Sequence, residues 1–384
     1  MVNYLKQLEN PQINYEKWFE VMRDFRRGGL NPSNYGDVLQ TIKNLPPISK
    51  RTMTDYEVFD KYNLVDITEE DFGVINKEVI RRGIAASKFC WHPEASKTTC
   101  SLNPDGTINV SAAHSLQNNG VLSKIAEDGF VTGLTLNNGE HDGKEMSKKH
   151  ASIFWGFCST HDAIFRPIEV NPYTGTDEQH FLFAYRGFVV SAHKKVEVST
   201  WTNFGEQSKI DIEENKKIFD KAILARDYSI VETETFELPA FYPVAVSTAF
   251  YLDFDFERNP IGHSDDRIEF IFVSLIPLVN KTLFLLSYLK QDNKLYGKLG
   301  EQLRKRNNLK SDITMLIAAH TENVYFNPTY YRTFIEQQEK TWGQIMLTQF
   351  DYATIDESDQ LNVEFSLTPS DYLNNPYGIN FFGY

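Results

Sequence analysis

The sequence predicts an α+β fold: a helical N-terminal region, a small cysteine-bearing module, and a C-terminal antiparallel sheet with packed helices. Three observations carry this. Val244–Phe256, Arg267–Ile276 and Thr282–Leu289 are apolar runs separated by turn signals, which reads as a meander of three strands. Flanking segments repeat apolar residues at helical spacing, as in Leu295, Leu299 and Leu303. The chain's 3 cysteines, Cys90, Cys100 and Cys158, all fall in one window between the expected helices.

Length and composition bound the rest. A chain of 384 residues, 41% hydrophobic and 24% charged, has the composition of globular proteins and predicts more than one domain. The formal charge of -13 weighs against extensive duplex binding but leaves room for a small basic cleft. No Walker loop, Gly-x-Gly-x-x-Gly, Gly-x-Ser-x-Gly or His-Glu-x-x-His occurs. P-loop, dinucleotide-redox and α/β-hydrolase chemistries are therefore disfavoured. Residues 1–7 lack an apolar signal core, and 3 cysteines cannot close a disulfide set, so a cytoplasmic setting is expected. The apolar run from Ile268 to Leu289 is interrupted by Pro277, Asn280 and Lys281 and contains Glu269. It reads as two strands and a turn, not a membrane helix.

In chain order, Trp18, Phe19, Met22 and Phe25 give an N-terminal helix its apolar face, and Thr68 can cap a second helix running to about Arg82. Thr107–Ala113 predicts a strand ending at His114, Val121–Asp128 a helix, and Phe130–Leu136 a second strand. From the Asn137-Asn138-Gly139 turn to Lys149 the chain is polar and reads as an exposed loop. Helices are expected over Glu178–Val196 and Ile210–Arg226, the second in a connector. Further helices are expected over Lys294–Arg306, Asp312–His320 and Pro328–Gln344. The aromatic tail, Asn374 to Tyr384, is expected to pack onto the body or onto a partner. The expected divisions are 1–85, 86–200, 201–235 and 236–384.

The cysteine window carries the chemistry. Cys158-x2-His161 has the spacing of one zinc-ligand pair. Cys90 and Cys100 make the other, although 9 residues separate them where two to four are usual; Cys90-x-His92 is an alternative first half. Against this stands the reading of plain buried cysteines and a hydrogen-bonded histidine. The clustering favours metal, so a structural zinc is expected on Cys90, Cys100, Cys158 and His161. Asp253 and Asp255 alternate with aromatics on an expected strand, a weaker metal candidate.

The order of these features, a ligand pair, a strand-end His114, the Asn118-Asn119 pair and a second ligand pair followed by Asp162, resembles the HNH endonucleases. Their ββα-metal motif sits on a treble-clef zinc frame. The resemblance covers the stretch from Cys90 to Phe165. It implies His114 as general base, Asn118 or Asn119 as the residue orienting the loop, and Asp162 as a ligand to a catalytic Mg2+ or Mn2+. Against the first stands the reading of His114 as a strand-end histidine hydrogen-bonded to backbone, which the residues alone favour. The chain departs from the family in lacking Cys-x2-Cys, in having Ala113 before the histidine, and in having Asp162 where a histidine is common. The wider block from Ala113 to Asp162 also resembles a group of bacterial proteins, with no mechanism attached.

The leading expectation is a metal-dependent endonuclease acting on DNA or RNA, in the manner of a bacterial toxin or defence effector. The second is a non-catalytic, zinc-stabilised interaction protein that docks a protein partner or a second copy through its C-terminal domain. Neither involves a membrane.

Overall fold

The computed structural model describes residues 84–85, 87–137, 140–198, 205–264, 266–321, 323–347, 352–355, 361–364, 375 and 378–383. The N-terminal helices expected before residue 84 lie outside these. The chain divides into two compact units, one of Met1–Lys88, Lys194–Gly205 and Leu347–Leu367, the other of Phe89–His193, Glu206–Met346 and Thr368–Tyr384. In the first, β10 (Tyr352–Ile355) pairs antiparallel with β11 (Leu361–Glu364).

The second unit is α+β, as expected. Its elements in order are β1 (Val110–His114), β2 (Phe130–Asn137), β3 (Glu140–Ser147), β4 (Ile153–Cys158), α1 (Ser159–Asp162), α2 (Asp177–Val198), α3 (Gly205–Ala225), β5 (Val231–Leu238), β6 (Val244–Phe250), β7 (Ile271–Pro277), β8 (Thr282–Leu289), α4 (Leu299–Lys305), α5 (Leu309–His320), β9 (Val324–Phe326) and α6 (Glu339–Leu347). β1 and β4 form a two-stranded ladder. The other seven strands form one antiparallel sheet in the order β3-β2-β9-β6-β7-β8-β5.

Every residue of β6, β7 and β8 is buried, so both faces of the sheet's centre are covered. That is why the Ile268–Leu289 run is apolar on both sides of its Pro277–Lys281 turn. No helix among the described residues is long and apolar enough to cross a membrane. α2 and α3 pack onto the sheet through Phe188 against Phe270 and Phe219 against Phe272. Elsewhere Trp342 of α6 meets Phe326 of β9 and Phe381 of the tail. Ile379, Phe381 and Phe382 are buried, so the tail packs onto the body.

Several expectations are corrected. The polar stretch after Asn137 is not a loop: β3 pairs with β2 over eight residue pairs, Phe130↔Ser147 to Asn137↔Glu140. An edge strand needs no apolar face of its own, and charged residues there discourage further pairing. The helix expected over Val121–Asp128 lies earlier: a wide helical stretch, Asn118–Leu122, runs into one α-helical turn, Ser123–Ile125, and ends there, with Asp128 and Gly129 taking left-handed φ values of 50° and 84° that turn the chain into β2. The connector expected over 201–235 instead supplies α3 and the edge strand β5. Nor do the divisions at 200 and 235 separate sheets, since β2 and β3 share one sheet with β5–β9. Asp253 and Asp255 lie beyond the end of β6. Asp255 accepts hydrogen bonds from the backbone of Glu257 and Asn259 and from Gln302 Nε2, which ties its carboxylate into a turn.

Gly187 of α2 marks the closest approach of helix to sheet. A Cβ there would lie 2.7 Å from the Thr248 carbonyl oxygen of β6. Helix propensity alone favours alanine by up to about 1 kcal/mol, whereas pressing a methyl into packed backbone costs about 1–3 kcal/mol. Gly187→Ala is therefore expected to lower the urea midpoint; a raised midpoint would show that α2 does not sit this close.

Candidate metal centre

The loop from Cys90 to Cys100 folds back on itself. Ala95 N–H donates to His92 O (2.9 Å) and Cys100 N–H to Ser96 O (3.0 Å). The Thr99 hydroxyl donates to Glu94 O (2.5 Å). These turns bring together two cysteines that the sequence holds far apart for a ligand pair. Trp91, 2% exposed, anchors the loop. Its backbone N–H donates to Gly156 O of β4 (2.9 Å), and its indole N–H donates to His193 Nδ1 of α2 (3.0 Å). Cys158 ends β4, and His161 follows within α1.

The Sγ atoms of Cys90, Cys100 and Cys158 lie 3.5, 3.4 and 3.3 Å from the same atom, His161 Nδ1. One ring nitrogen carries either one hydrogen or one lone pair, so hydrogen bonding explains at most one of these contacts. A tetrahedral ion with sulfur at about 2.3 Å and nitrogen at about 2.0–2.1 Å would set S···N edges of about 3.5–3.6 Å. The four ligand atoms all lie within 4.8 Å of one another, and these residues could hold a metal ion. All four residues expected from the sequence are thus brought together.

His92 is not a replacement first-half ligand. Its ring stacks on His161 with centroids 4.2 Å apart and planes 6° apart. His92, Glu94 and His161 also place ligand atoms close together. However, nitrogen lone pairs lie in the ring plane, so two parallel stacked rings cannot both aim at one ion. His92 therefore covers the ligand ring. Burial lowers its pKa to about 4, which keeps it uncharged against its neighbour.

Two of the thiols hold their protons more firmly than a free cysteine. Burial pushes Cys90 up to about 12 and also raises Cys100. Burial opposes ionisation of Cys158 too, but backbone hydrogen bonds from His161 and Ser101 outweigh it and hold that thiol low. A bound cation would ionise all three and release protons, so metal binding weakens as pH falls.

The other expected site residues lie nearby in the chain but not on the cluster. His114 ends β1, opposite Ile153 of β4. Its Nδ1 is 2.9 Å from Ala151 O; since a carbonyl only accepts, Nδ1 carries the hydrogen and Nε2 the lone pair. Burial lowers the His114 pKa. Asn118 opens a wide turn, Asn118–Leu122, and its Oδ1 is buried without a hydrogen-bond partner. Asn119 is exposed beside it. Asp162 follows His161 half-buried, and burial raises its pKa against the opposing pull of Arg186.

Sequence reasoning missed the ion pair that links these parts. Arg186 of α2, 4% exposed, donates to Glu169 Oε1 at 2.5 Å and lies over the Phe165 ring at 4.2 Å. Gln117 Nε2, just after His114, donates to Glu169 O at 2.7 Å. Both charges act electrostatically on His114 and on Asp162. The available signal was a lone arginine inside the apolar run Phe181–Val190.

Comparison with known proteins adds no relative: no family model, no curated protein and no solved structure matches the chain.

A chelator is expected to lower the melting temperature by about 10 °C or more, the shift for a ligand present far above its Kd. Cys158→Ser should start at that lower temperature and ignore the chelator. Native protein indifferent to chelation would remove the metal.

Proposed function

We propose that this chain hydrolyses phosphodiester bonds with His114 as general base, on a zinc-held frame of HNH-like type. The observation that carries the reading is the orientation of His114. The Ala151 carbonyl fixes the Nδ1–H tautomer, which leaves a basic Nε2 on a half-buried ring at the end of a ladder tied to the metal cluster. The chain order supports it as well. A ligand-bearing loop is followed by two antiparallel strands and then a helix whose first turn carries the last ligand. Here β2 and β3 are inserted between the two strands.

Zinc is the metal this donor set favours. Three thiolates and an imidazole suit a borderline-soft tetrahedral ion and exclude magnesium and calcium, which take oxygen ligands. Four protein ligands leave no open position, which makes the role structural.

In the proposed reaction a water oxygen attacks phosphorus while its proton passes to His114 Nε2. The P–O bond to the leaving oxygen then breaks, and that oxygen takes up a proton. A general base of this kind contributes about 10²- to 10⁴-fold. Asp162 stands where the resemblance implies a ligand for Mg2+ or Mn2+. No cluster of three or more His, Cys, Asp or Glu forms around it among the described residues. That same observation favours a second reading, in which the frame serves protein–protein docking without catalysis.

The two readings separate on one variant. His114→Ala should lose at least about 10²-fold in cleavage of a labelled DNA or RNA strand while keeping one zinc per chain and its melting temperature. Cleavage unchanged in His114→Ala removes His114 as the base, whereas cleavage absent from native protein with and without added Mg2+ or Mn2+ favours docking. The acid limb also has a sign. Burial lowers the His114 pKa, so the base stays neutral below the ordinary histidine value of about 6.5. The rate of native enzyme should hold until the pH falls below that value, and a limb above it would point to another base.

A further inference from the structure

The described part of this acidic chain pairs many of its cations with carboxylates: Arg267 with Asp292, Arg304 with Glu234, Arg306 with Asp312. Among the described residues other cations have no carboxylate partner, and three of these lie on two adjacent turns. Lys124 sits on the single turn Ser123–Ile125, and Lys148-Lys149-His150 follows β3. Lys148 joins the two turns, its Nζ donating to Ser123 Oγ (2.6 Å) and its backbone N–H to Gly129 O (2.9 Å). None of these three lysines forms an ion pair with a described carboxylate. Glu127, the nearest acid in sequence to Lys124, is taken up by Thr329 N–H (3.0 Å) and Thr329 Oγ1 (2.9 Å). Burial lowers the Lys124 pKa, with no carboxylate to offset it. Asp128, exposed at the neighbouring turn, is the one acid close by in sequence that no described contact occupies.

The position of this basic pair of turns matters. Lys148 and Lys149 lead directly to Ala151, whose carbonyl orients His114, and Ala151 N–H closes the same turn on Ser147 O (3.0 Å). We propose that Lys124, Lys148 and Lys149 form a docking lip that holds the phosphate backbone of a single-stranded nucleic acid beside His114. Three cations on two short turns match two or three consecutive phosphates. A duplex presents charge on two strands over a broader face and would meet the acidic remainder of the chain. The substrate class of the proposed reaction follows, and the inference rests on that reading only for the role of His114.

The test is fluorescence anisotropy with labelled single-stranded 20-mers of DNA and RNA and the matching duplex, from 50 to 200 mM salt, using the His114→Ala protein so that no strand is cut. The expected log–log salt slope is about -2, from about 0.7 per phosphate. Lys148→Gln/Lys149→Gln should weaken binding roughly 10- to 30-fold and flatten the slope by more than one. Lys124→Gln/Lys149→Gln should do the same while sparing the Lys148–Ser123 bond. Lys298→Gln, on another surface, should change little. Unchanged affinity and slope in both double variants overturns the lip, as does the absence of salt-dependent binding; tighter binding of the duplex overturns the single-strand assignment. Lysine-dependent binding together with no cleavage by native protein leaves the lip standing and removes the hydrolysis.

Discussion

Three sulfur atoms crowd one imidazole nitrogen, and much of this unit is arranged around that fact. Polar groups do not converge at such separations in a protein interior unless something compensates them. Buried thiols beside a ring nitrogen form one hydrogen bond at best, whereas a cation at their centre satisfies all four ligands at once. The cluster joins segments distant in sequence, the Cys90–Cys100 loop and the junction of β4 with α1. Because Val110 lies opposite Cys158 in the ladder, the junction also fixes where β1 begins and, four residues on, where His114 ends it.

The parts legible in the sequence were those decided locally. Cysteine clustering and a Cys-x2-His spacing marked all four residues of the cluster, because thiols and an imidazole gathered in one window suit a metal ion. The β7–β8 hairpin was legible because Pro277, Asn280 and Lys281 punctuate an apolar run that no single helix would tolerate. The parts not legible depend on distant partners. β3 carries Glu140, Asp142, Lys144 and Glu145 and has no apolar alternation; it is a strand because β2 offers it an edge. The long Cys90–Cys100 spacing looked awkward because the turns through Ser96 and Thr99 that shorten it come from hydroxyl contacts, not from a pattern of period 2 or 3.6. The Arg186–Glu169 pair was hidden because burial of a charge shows only once its partner is seen.

Charge is distributed with the same economy of partners. With a formal charge of -13, unpaired carboxylates are plentiful, and most described arginines are drawn into pairs with them. Arg186 is the extreme case. It is nearly fully buried, and its neighbourhood explains why: Glu169 neutralises it and the Phe165 ring covers it. A buried pair of this kind is a poor source of net stability but a strong geometric constraint, since removing either partner strands the other. Here it fixes the helical turn Arg166–Glu169 against α2, and Gln117 extends that constraint to the loop after His114.

His114 is consequently held from two sides. On one, the ladder carries it back to the metal cluster. On the other, the large sheet reaches it through β9. Tyr325 accepts the Ser152 backbone N–H (2.8 Å), fixing the turn that offers Ala151 O, and Asn323 accepts from Ser115 Oγ (3.1 Å) while donating to Ser247 O of β6 (2.5 Å). This follows from topology. β1 and β4 are neighbours in their ladder, yet the chain between them makes two strands of the other sheet, so neither sheet forms without bringing the other's ends together. The tautomer of His114 depends on the Ala151 carbonyl, and that carbonyl depends on the sheet side of the arrangement. The Cys/His cluster sets the far end of the ladder. Orientation of the His114 ring and assembly of the Cys/His cluster therefore depend on different ends of the same ladder.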